Sequence, residues 1–256
     1  MSADVEPDRL VAVTGATGFI GGALAHRLAD SGWQVRALVR NPARAQALSA
    51  LGIHLVPGEL SDTDALQRLV AGADAIGHCA GVVRGVDQAD FDPVNAAGVT
   101  SLARAGAAQR RPPRFIALSS LAAREPQLSP YAASKRAGEQ ALAAAAGPME
   151  WLALRPPAVY GPGDREMLPL LRWLMRGLAP ALGAPGARLS LLFVDDLVNA
   201  LEQCLKAPVL PQGIFELHDG HPDGYSWTEI VAVAAALRGR KVRALRIPAP
   251  LLSGLA

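Results

Sequence analysis

Three glycines, Gly15, Gly18 and Gly21, stand between the apolar run Leu10–Thr14 and an amphipathic stretch over 20–30, and this juncture constrains the fold more than anything else in the sequence. Glycine lets the backbone turn sharply out of a strand and leaves no Cβ between the main chain and a bound group. The helix that follows offers unpaired N–H groups and the positive end of its dipole, so the turn is built for a pyrophosphate. Such a turn belongs to a strand–helix–strand unit, and the chain continues in that rhythm. Strands are predicted at 10–14, 34–39, 53–56, 75–78, 114–118 and 150–154, with helices between them at 20–30, 62–70, 94–108 and 131–146. Alternation of this kind gives an α/β fold in which a doubly wound, Rossmann-type parallel sheet of six strands carries helices on both faces. The carboxyl ends of its strands share one edge, where ligands of open α/β sheets bind.

After Arg155 the rhythm breaks into Pro- and Gly-rich pieces, Pro156-Pro157, Gly161-Pro162-Gly163 and Gly183-Ala184-Pro185-Gly186. A small C-terminal substrate-binding cap is expected there, with 8–160 plus 189–206 as the dinucleotide domain and 161–188 plus 207–256 as the cap. Residues 190–194 read as a strand feeding an Asp-capped helix at Asp195-Asp196, and Ser226 as the start of a helix over 227–237. Half of the 256 residues are apolar, and 25 Lys plus Arg nearly balance 23 Asp plus Glu. That composition supports a sizeable core and argues against a nucleic-acid partner. No apolar stretch has the length of a membrane span, and the polar, acidic start of the chain is unlike a secretion signal. Cys79 and Cys204 lie in no metal-ligand array, so the expectation is a cytoplasmic protein without structural metal, monomeric or homodimeric, acting on a small molecule.

Arg40 directly follows the second predicted strand, where dinucleotide folds usually carry an acid for the adenosine ribose 2′-hydroxyl. A guanidinium pairs instead with a 2′-phosphate, so NADP is preferred over NAD, with Arg36 as a potential helper. Ser119-Ser120 ends the fifth strand, on the edge that holds the glycine turn. Tyr131 and Lys135 follow, four apart and therefore on one helical face. An ammonium beside a phenol is expected to lower its pKa and make it a general acid or base, while Ser120 donates to the same substrate oxygen.

With these pieces in order, the chain resembles the short-chain dehydrogenase/reductase superfamily, in its extended or atypical branch of NAD-dependent epimerases and dehydratases. The matching segments are T-G-A-T-G-F-I-G at 14–21, H-C-A-G at 78–81, L-S-S at 118–120, Y-A-A-S-K at 131–135, R-P-P-A-V-Y-G-P-G at 155–163 and F-V-D-D at 193–196. The resemblance implies Ser120, Tyr131 and Lys135 as catalytic residues. It implies Gly15, Thr17, Gly18, Phe19 and Ile20 along the pyrophosphate, Arg40 at the 2′-phosphate, and Glu59 and Leu60 at the adenine. Cys79, Ala80 and Gly81 would pass beneath the nicotinamide, Lys135 would bond its ribose, and Pro156 and Val159 would border the carboxamide. Ser119 is the less favoured of the serine pair.

Two departures narrow the activity. Ten residues separate Ser120 from Tyr131, fewer than sugar-nucleotide epimerases generally have, and Ala123-Arg124 stands where many of them carry Tyr-Gly. Arg188 lies near their phosphate-binding position but one residue out of register with Phe193–Asp196. The chain stops at Ala256, where relatives often add a helix or two, so the cap is expected to be small or cut short. The favoured reading is an NADP(H)-dependent oxidoreductase acting on a carbonyl or secondary alcohol. An epimerase or dehydratase with bound NAD(P), or a non-catalytic NADP-binding sensor or assembly protein, are the alternatives. His218 and His221 read as loop surface rather than metal ligands, Cys79 as a packed thiol, and Trp151, Trp173 and Trp227 as packing. Arg165, Arg172 and Arg176 would either meet an anionic substrate or form a solvated helix face.

Overall fold

A computed structural model of the chain describes residues 9–181 and 186–246. The polar start, most of the 183–186 turn and the final ten residues lie outside that range. By contact the chain divides into two units, 1–156 with 195–217 and 157–194 with 218–256.

The first unit is built on seven parallel strands: β1 (Leu10–Thr14), β2 (Gln34–Val39), β3 (His54–Pro57), β4 (Ala75–His78), β5 (Arg114–Leu118), β6 (Trp151–Arg155) and β7 (Gly213–Glu216). Their order across the sheet is β7-β6-β5-β4-β1-β2-β3, so the direction of winding reverses between β1 and β4 and opens the crevice of a doubly wound fold there. Helices cover both faces, and the central strands are accordingly continuous apolar runs rather than alternating ones. Every residue of β4 and β6 is buried.

Helix α1 (Phe19–Asp30) buries Gly21, Leu24, Ala25 and Leu28, a stripe at helical spacing. Helix α2 (Thr63–Val70) is started by Asp62, whose carboxylate accepts from the amide of Ala65 at 2.9 Å. Helix α3 (Gly98–Ala107) and helix α4 (Pro130–Ala145) pack Leu102, Ala103 and Leu142 against Ile76, Phe115 and Ala153 of the sheet, all completely buried. Ser129 caps α4 and Pro130 occupies its first turn, where a missing N–H costs nothing. Helix α5 (Val194–Lys206) returns the chain to the first unit.

Four expectations differ from the structure. The sheet has seven strands rather than six, because Gly213–Glu216 pairs with β6 from Leu152 to Arg155. That pairing also brings 207–217 into the first unit, whereas 157–160 and 189–194 group with the second. The helix predicted over 94–108 is a composite, with an α-helical turn Gln88–Asp92, a π-helical turn Pro93–Ala97 and then α3. The strand before α5 spans Leu191–Phe193, and Asp195 and Asp196 lie inside the first helical turn rather than capping it.

In the second unit Ala158–Tyr160 pairs in parallel with Leu191–Phe193, Arg188–Leu189 antiparallel with Tyr225–Ser226, and Leu178–Ala181 in parallel with Arg243–Arg246. Leu174 of helix Leu168–Arg176 and Ile230 and Ala234 of helix Trp227–Arg238 make its core with Ala179. Ser226 and Glu229 start the latter helix with reciprocal side-chain caps. Among the described residues no helix is long and apolar enough to cross a membrane.

Candidate active site

The turn after β1 is closed by its own backbone. Gly15 has a φ of +74°, and a Cβ there would stand 2.6 Å from the amide of Ala80 at the end of β4. A Cβ on Gly21 would come within 2.3 Å of the Gly15 carbonyl oxygen. Both positions therefore need glycine for close packing, whereas Thr17 and Gly18 face outward and are exposed. Helix α1 starts with no side-chain cap and no acidic residue in its first turn, so its amides and dipole are left uncompensated by the protein. A cradle this open, at the crevice of a doubly wound sheet, fits a dinucleotide pyrophosphate. Phe19 and Ile20 form its far wall as the first residues of α1, half-buried.

At the end of β2 the two arginines separate. Arg40 follows the strand with an exposed side chain. Arg36 is not its helper: its guanidinium donates to the carbonyls of Arg68, Leu69 and Ala71 at 2.8, 2.9 and 2.9 Å and closes the carboxyl end of α2. A trough of about 440 Å³ beside β3 is lined by Arg36, His54 and Arg68, but Arg36 is committed to that helix end and the trough holds no reactive pair. Glu59 is exposed and accepts from the Ser61 hydroxyl at 2.7 Å, while Leu60 is buried against Gly98.

At the end of β4, His78 is fully buried and bonded to the Thr14 hydroxyl at 2.8 Å. Desolvation, with Lys135 nearby, pulls its pKa down to about 3, so it is neutral. Burial pushes the adjacent Cys79 thiol up to about 12, despite the Lys135 charge, which leaves it unreactive. Ala80 and Gly81 continue past Lys135, whose ammonium would lie 3.6 Å from a Cβ on Gly81.

Lys135 donates to the carbonyl of Leu118, the last residue of β5, at 2.7 Å. Burial lowers its pKa to about 8, with Cys79 and Glu139 acting in the opposite sense. Asn95, in the π-helical turn, is buried across from it. Asn95 accepts from the Val82 amide at 2.8 Å and donates to the Val82 carbonyl and the Ser134 hydroxyl, each at 2.9 Å. His78, Asn95, Ser119, Lys135 and Glu139 share a narrow cavity of about 20 Å³ behind the lysine.

The two serines leave β5 in opposite directions, as consecutive residues of an extended chain do. Ser119 is buried and donates to Glu139 at 2.5 Å. Ser120 is half-buried, hydrogen-bonded to the Tyr131 phenol, and caps the turn Leu121–Arg124 by accepting from the Ala122 amide at 3.2 Å. The expected effect of Lys135 on the phenol is not what the structure displays. Burial raises the Tyr131 pKa, the Ser120 bond opposes that rise, and one of the three Lys135 N–H donors goes to the Leu118 carbonyl. The site thus holds a protonated phenol beside a hydroxyl and a cation, a set that can grip a carbonyl oxygen and deliver a proton to it.

Pro156 follows β6, and its carbonyl accepts from the Leu121 amide at 2.9 Å. Val159 lies in strand Ala158–Tyr160 of the second unit. Sequence reasoning overlooked Asn95, Glu139 and the buried partnership of Arg155. Glu139 was legible as the acid four residues beyond Lys135, but nothing local marks an acid in an Ala-rich helix as buried. Arg188 is tied up, donating to the carbonyls of Asp223 and Gly224 and lying 3.4 Å from Glu229. His218 accepts from the Gly220 amide and His221 stacks on Tyr225, and among the described residues no three potential ligands are grouped to hold a metal.

The sequence model of the NAD dependent epimerase/dehydratase family matches residues 11–216. A ceramide reductase of Caulobacter vibrioides is 43% identical over 241 residues, 94% of this chain and 74% of that protein. A 2-alkyl-3-oxoalkanoate reductase of Stenotrophomonas maltophilia is 29% identical over 74% of this chain and 63% of its own length. Among solved structures, MoeE5 in complex with UDP-glucose and NAD superposes with a TM-score of 0.75 at 24% identity, covering 94% of this chain and 85% of the other. At that identity the likeness speaks for the fold alone.

Proposed function

Because the chain belongs to the NAD dependent epimerase/dehydratase family, and so is an NAD(P)-dependent oxidoreductase or epimerase, we propose that it is an NADP(H)-dependent reductase of a ketone carried on a long apolar chain. The observation that carries the reductive reading is the Ser120–Tyr131 pair next to Lys135, with the phenol held protonated. The dinucleotide, when bound, is the source of the hydride. Gly15 and Gly18 shape the turn, whose Gly18 amide closes on the Gly15 carbonyl at 2.9 Å; Thr17, Phe19 and Ile20 present amides to the pyrophosphate, and Arg40 pairs with the 2′-phosphate that distinguishes NADP. Glu59 and Leu60 border the adenine, Cys79, Ala80 and Gly81 the nicotinamide, and Pro156 and Val159 its carboxamide.

Ser120 and Tyr131 both donate to the substrate carbonyl oxygen, which stabilises the negative charge that grows there as the carbon is reduced. Tyr131 then releases its proton to that oxygen, and the Lys135 ammonium steadies the phenolate left behind. The substrate class comes from the relatives: ceramide carries long hydrocarbon, and a 2-alkyl-3-oxoalkanoate places its ketone between alkyl groups. The pairing of Arg188 supports the same choice, since its Nε–Nη2 edge is occupied by the Asp223 and Gly224 carbonyls rather than open to a nucleotide diphosphate.

The family description also favours a second reading, epimerisation or dehydration through the same residues. One experiment separates them: stoichiometric NADPH consumption with a long-chain alkyl 3-oxoalkanoate or an N-acyl long-chain amino ketone, against none with a UDP-sugar. Conversion of the UDP-sugar without net NADPH loss would reverse the order. NADPH binding with no turnover of any compound, unchanged in Tyr131→Phe, would point to a sensor.

A further inference from the structure

The charged residues around Ser120 form a ladder that runs through the first unit. Arg155, the last residue of β6, grips Glu139 of α4 with two parallel bonds, Nε to Oε1 and Nη2 to Oε2, each 2.7 Å. Both residues are buried, which makes this the strong, inflexible rung. The other guanidinium nitrogen of Arg155 donates to Glu216 of β7 at 3.3 Å. Glu216 in turn lies 3.5 Å from Arg124, the last residue of the turn that Ser120 begins. At the inner end, Glu139 accepts from Ser119, the residue before Ser120. One alternating series of charges therefore holds the Ser120 loop at both of its ends.

We infer that Arg124 and Glu216 are positioning residues, which with Arg155 and Glu139 clamp the segment Ser119–Arg124 so that the Ser120 hydroxyl stays aimed at Tyr131. The inference rests on Ser120 and Tyr131 being the reacting pair. Ser119 alone fixes only the entrance: its bond to Glu139 turns it inward and sends Ser120 to the opposite side. The exit is held by the Leu121 amide on the Pro156 carbonyl at 2.9 Å and, beyond it, by Arg124, at the place where the sequence departs from the Tyr-Gly of many sugar epimerases. The outer rung is half exposed, so it contributes modestly, and its loss leaves Arg155 still paired with Glu139. Removing it should loosen the loop without unfolding the protein.

The test compares Arg124→Gln, Glu216→Gln and the double variant with Glu150→Gln, which removes a surface ion pair to Arg114 far from the loop. Hydrogen exchange of the peptide over 119–125, measured on the full chain, is expected to quicken about two- to fivefold in both single variants. The double variant should match Glu216→Gln, because the two act through one contact, and Glu150→Gln should match the parent. With an alkyl 3-oxoalkanoate and NADPH, kcat should fall about two- to fivefold while both KM values and the melting temperature hold. Parental exchange in Arg124→Gln and Glu216→Gln, or faster exchange with unchanged kcat, overturns the clamp. A parent protein that reduces no ketone counts against the proposed activity instead, and the exchange data then judge the clamp alone.

Discussion

Tyr131 is a phenol that burial keeps protonated and Ser120 keeps oriented, and that pairing defines what its loss should do. Tyr131→Phe removes the proposed proton donor and leaves the glycine turn untouched. The expected outcome is a fall of about 10²- to 10⁴-fold in kcat with NADPH affinity retained, read by steady-state rates and by energy transfer from tryptophan. Lys135 adds a pH limb. With its pKa lowered to about 8, the ammonium is lost as pH rises through that value, so kcat/KM should decline on the alkaline side of it. A rate that stays flat to pH 10 would remove Lys135 from the mechanism. At the other end of the cofactor, Arg40→Asp should weaken NADPH more than NADH, and equal loss of both would defeat the 2′-phosphate assignment. These residues are proposed from the sequence because their chemistry sits in short local patterns. The role of Arg36 was not legible, since its distance from α2 in sequence hides that it serves a helix end. The phenol's charge environment was misjudged for a similar reason: spacing puts Lys135 beside Tyr131 but says nothing of the Leu118 carbonyl that takes its proton bond.

Arg36 and the carboxyl end of α2 belong together as an element. Arg36→Met should destabilise the protein by about 0.5–1.5 kcal/mol through the lost bonds to three carbonyls at the α2 end, while the NADPH-to-NADH preference stays as it was. Urea unfolding together with cofactor titration tests both halves. A shift in cofactor preference would restore Arg36 to the binding site. The π-helical turn at Pro93–Ala97 brings the Asn95 carbonyl so close to α4 that a Cβ on Gly138 would stand 2.2 Å away. No propensity signals such an insertion, because a π turn has the composition of the α-helix it interrupts. β7 escaped notice for a different reason. It is four residues long, follows a Pro-containing stretch and lies at the sheet's edge with most of its side chains exposed, so the apolar run that betrays β4 to β6 is missing.

For the whole molecule, the buried His78 links stability to acidity. The unfolded chain takes up a proton below about pH 6.5 that the folded chain refuses until about pH 3, so the folded state loses ground as pH falls through that window. The slope for one such group is about 1.4 kcal/mol per pH unit. Urea midpoints on either side of about pH 6 should show it, and His78→Asn should lack it. A parent with no acid-side slope would mean the histidine is reached by solvent. The parallel sheet and its reversal point followed from the alternation of strands and helices, whereas the division of the chain did not, because one short strand decides to which unit 207–217 belongs.

That strand also fixes an order of assembly. β6 ends at Arg155 and its partner begins only at Gly213, so the two meet across the whole intervening excursion into the second unit. Contacts this distant along the chain close late, after nearer ones have formed. During synthesis the first six strands can therefore associate while the ribosome is still making the remainder, with Arg155 already seated on Glu139. Glu216 arrives last and meets Arg124, so on the proposed clamp the outer rung of the Ser120 loop closes only after the second unit's first segment, 157–194, has been made.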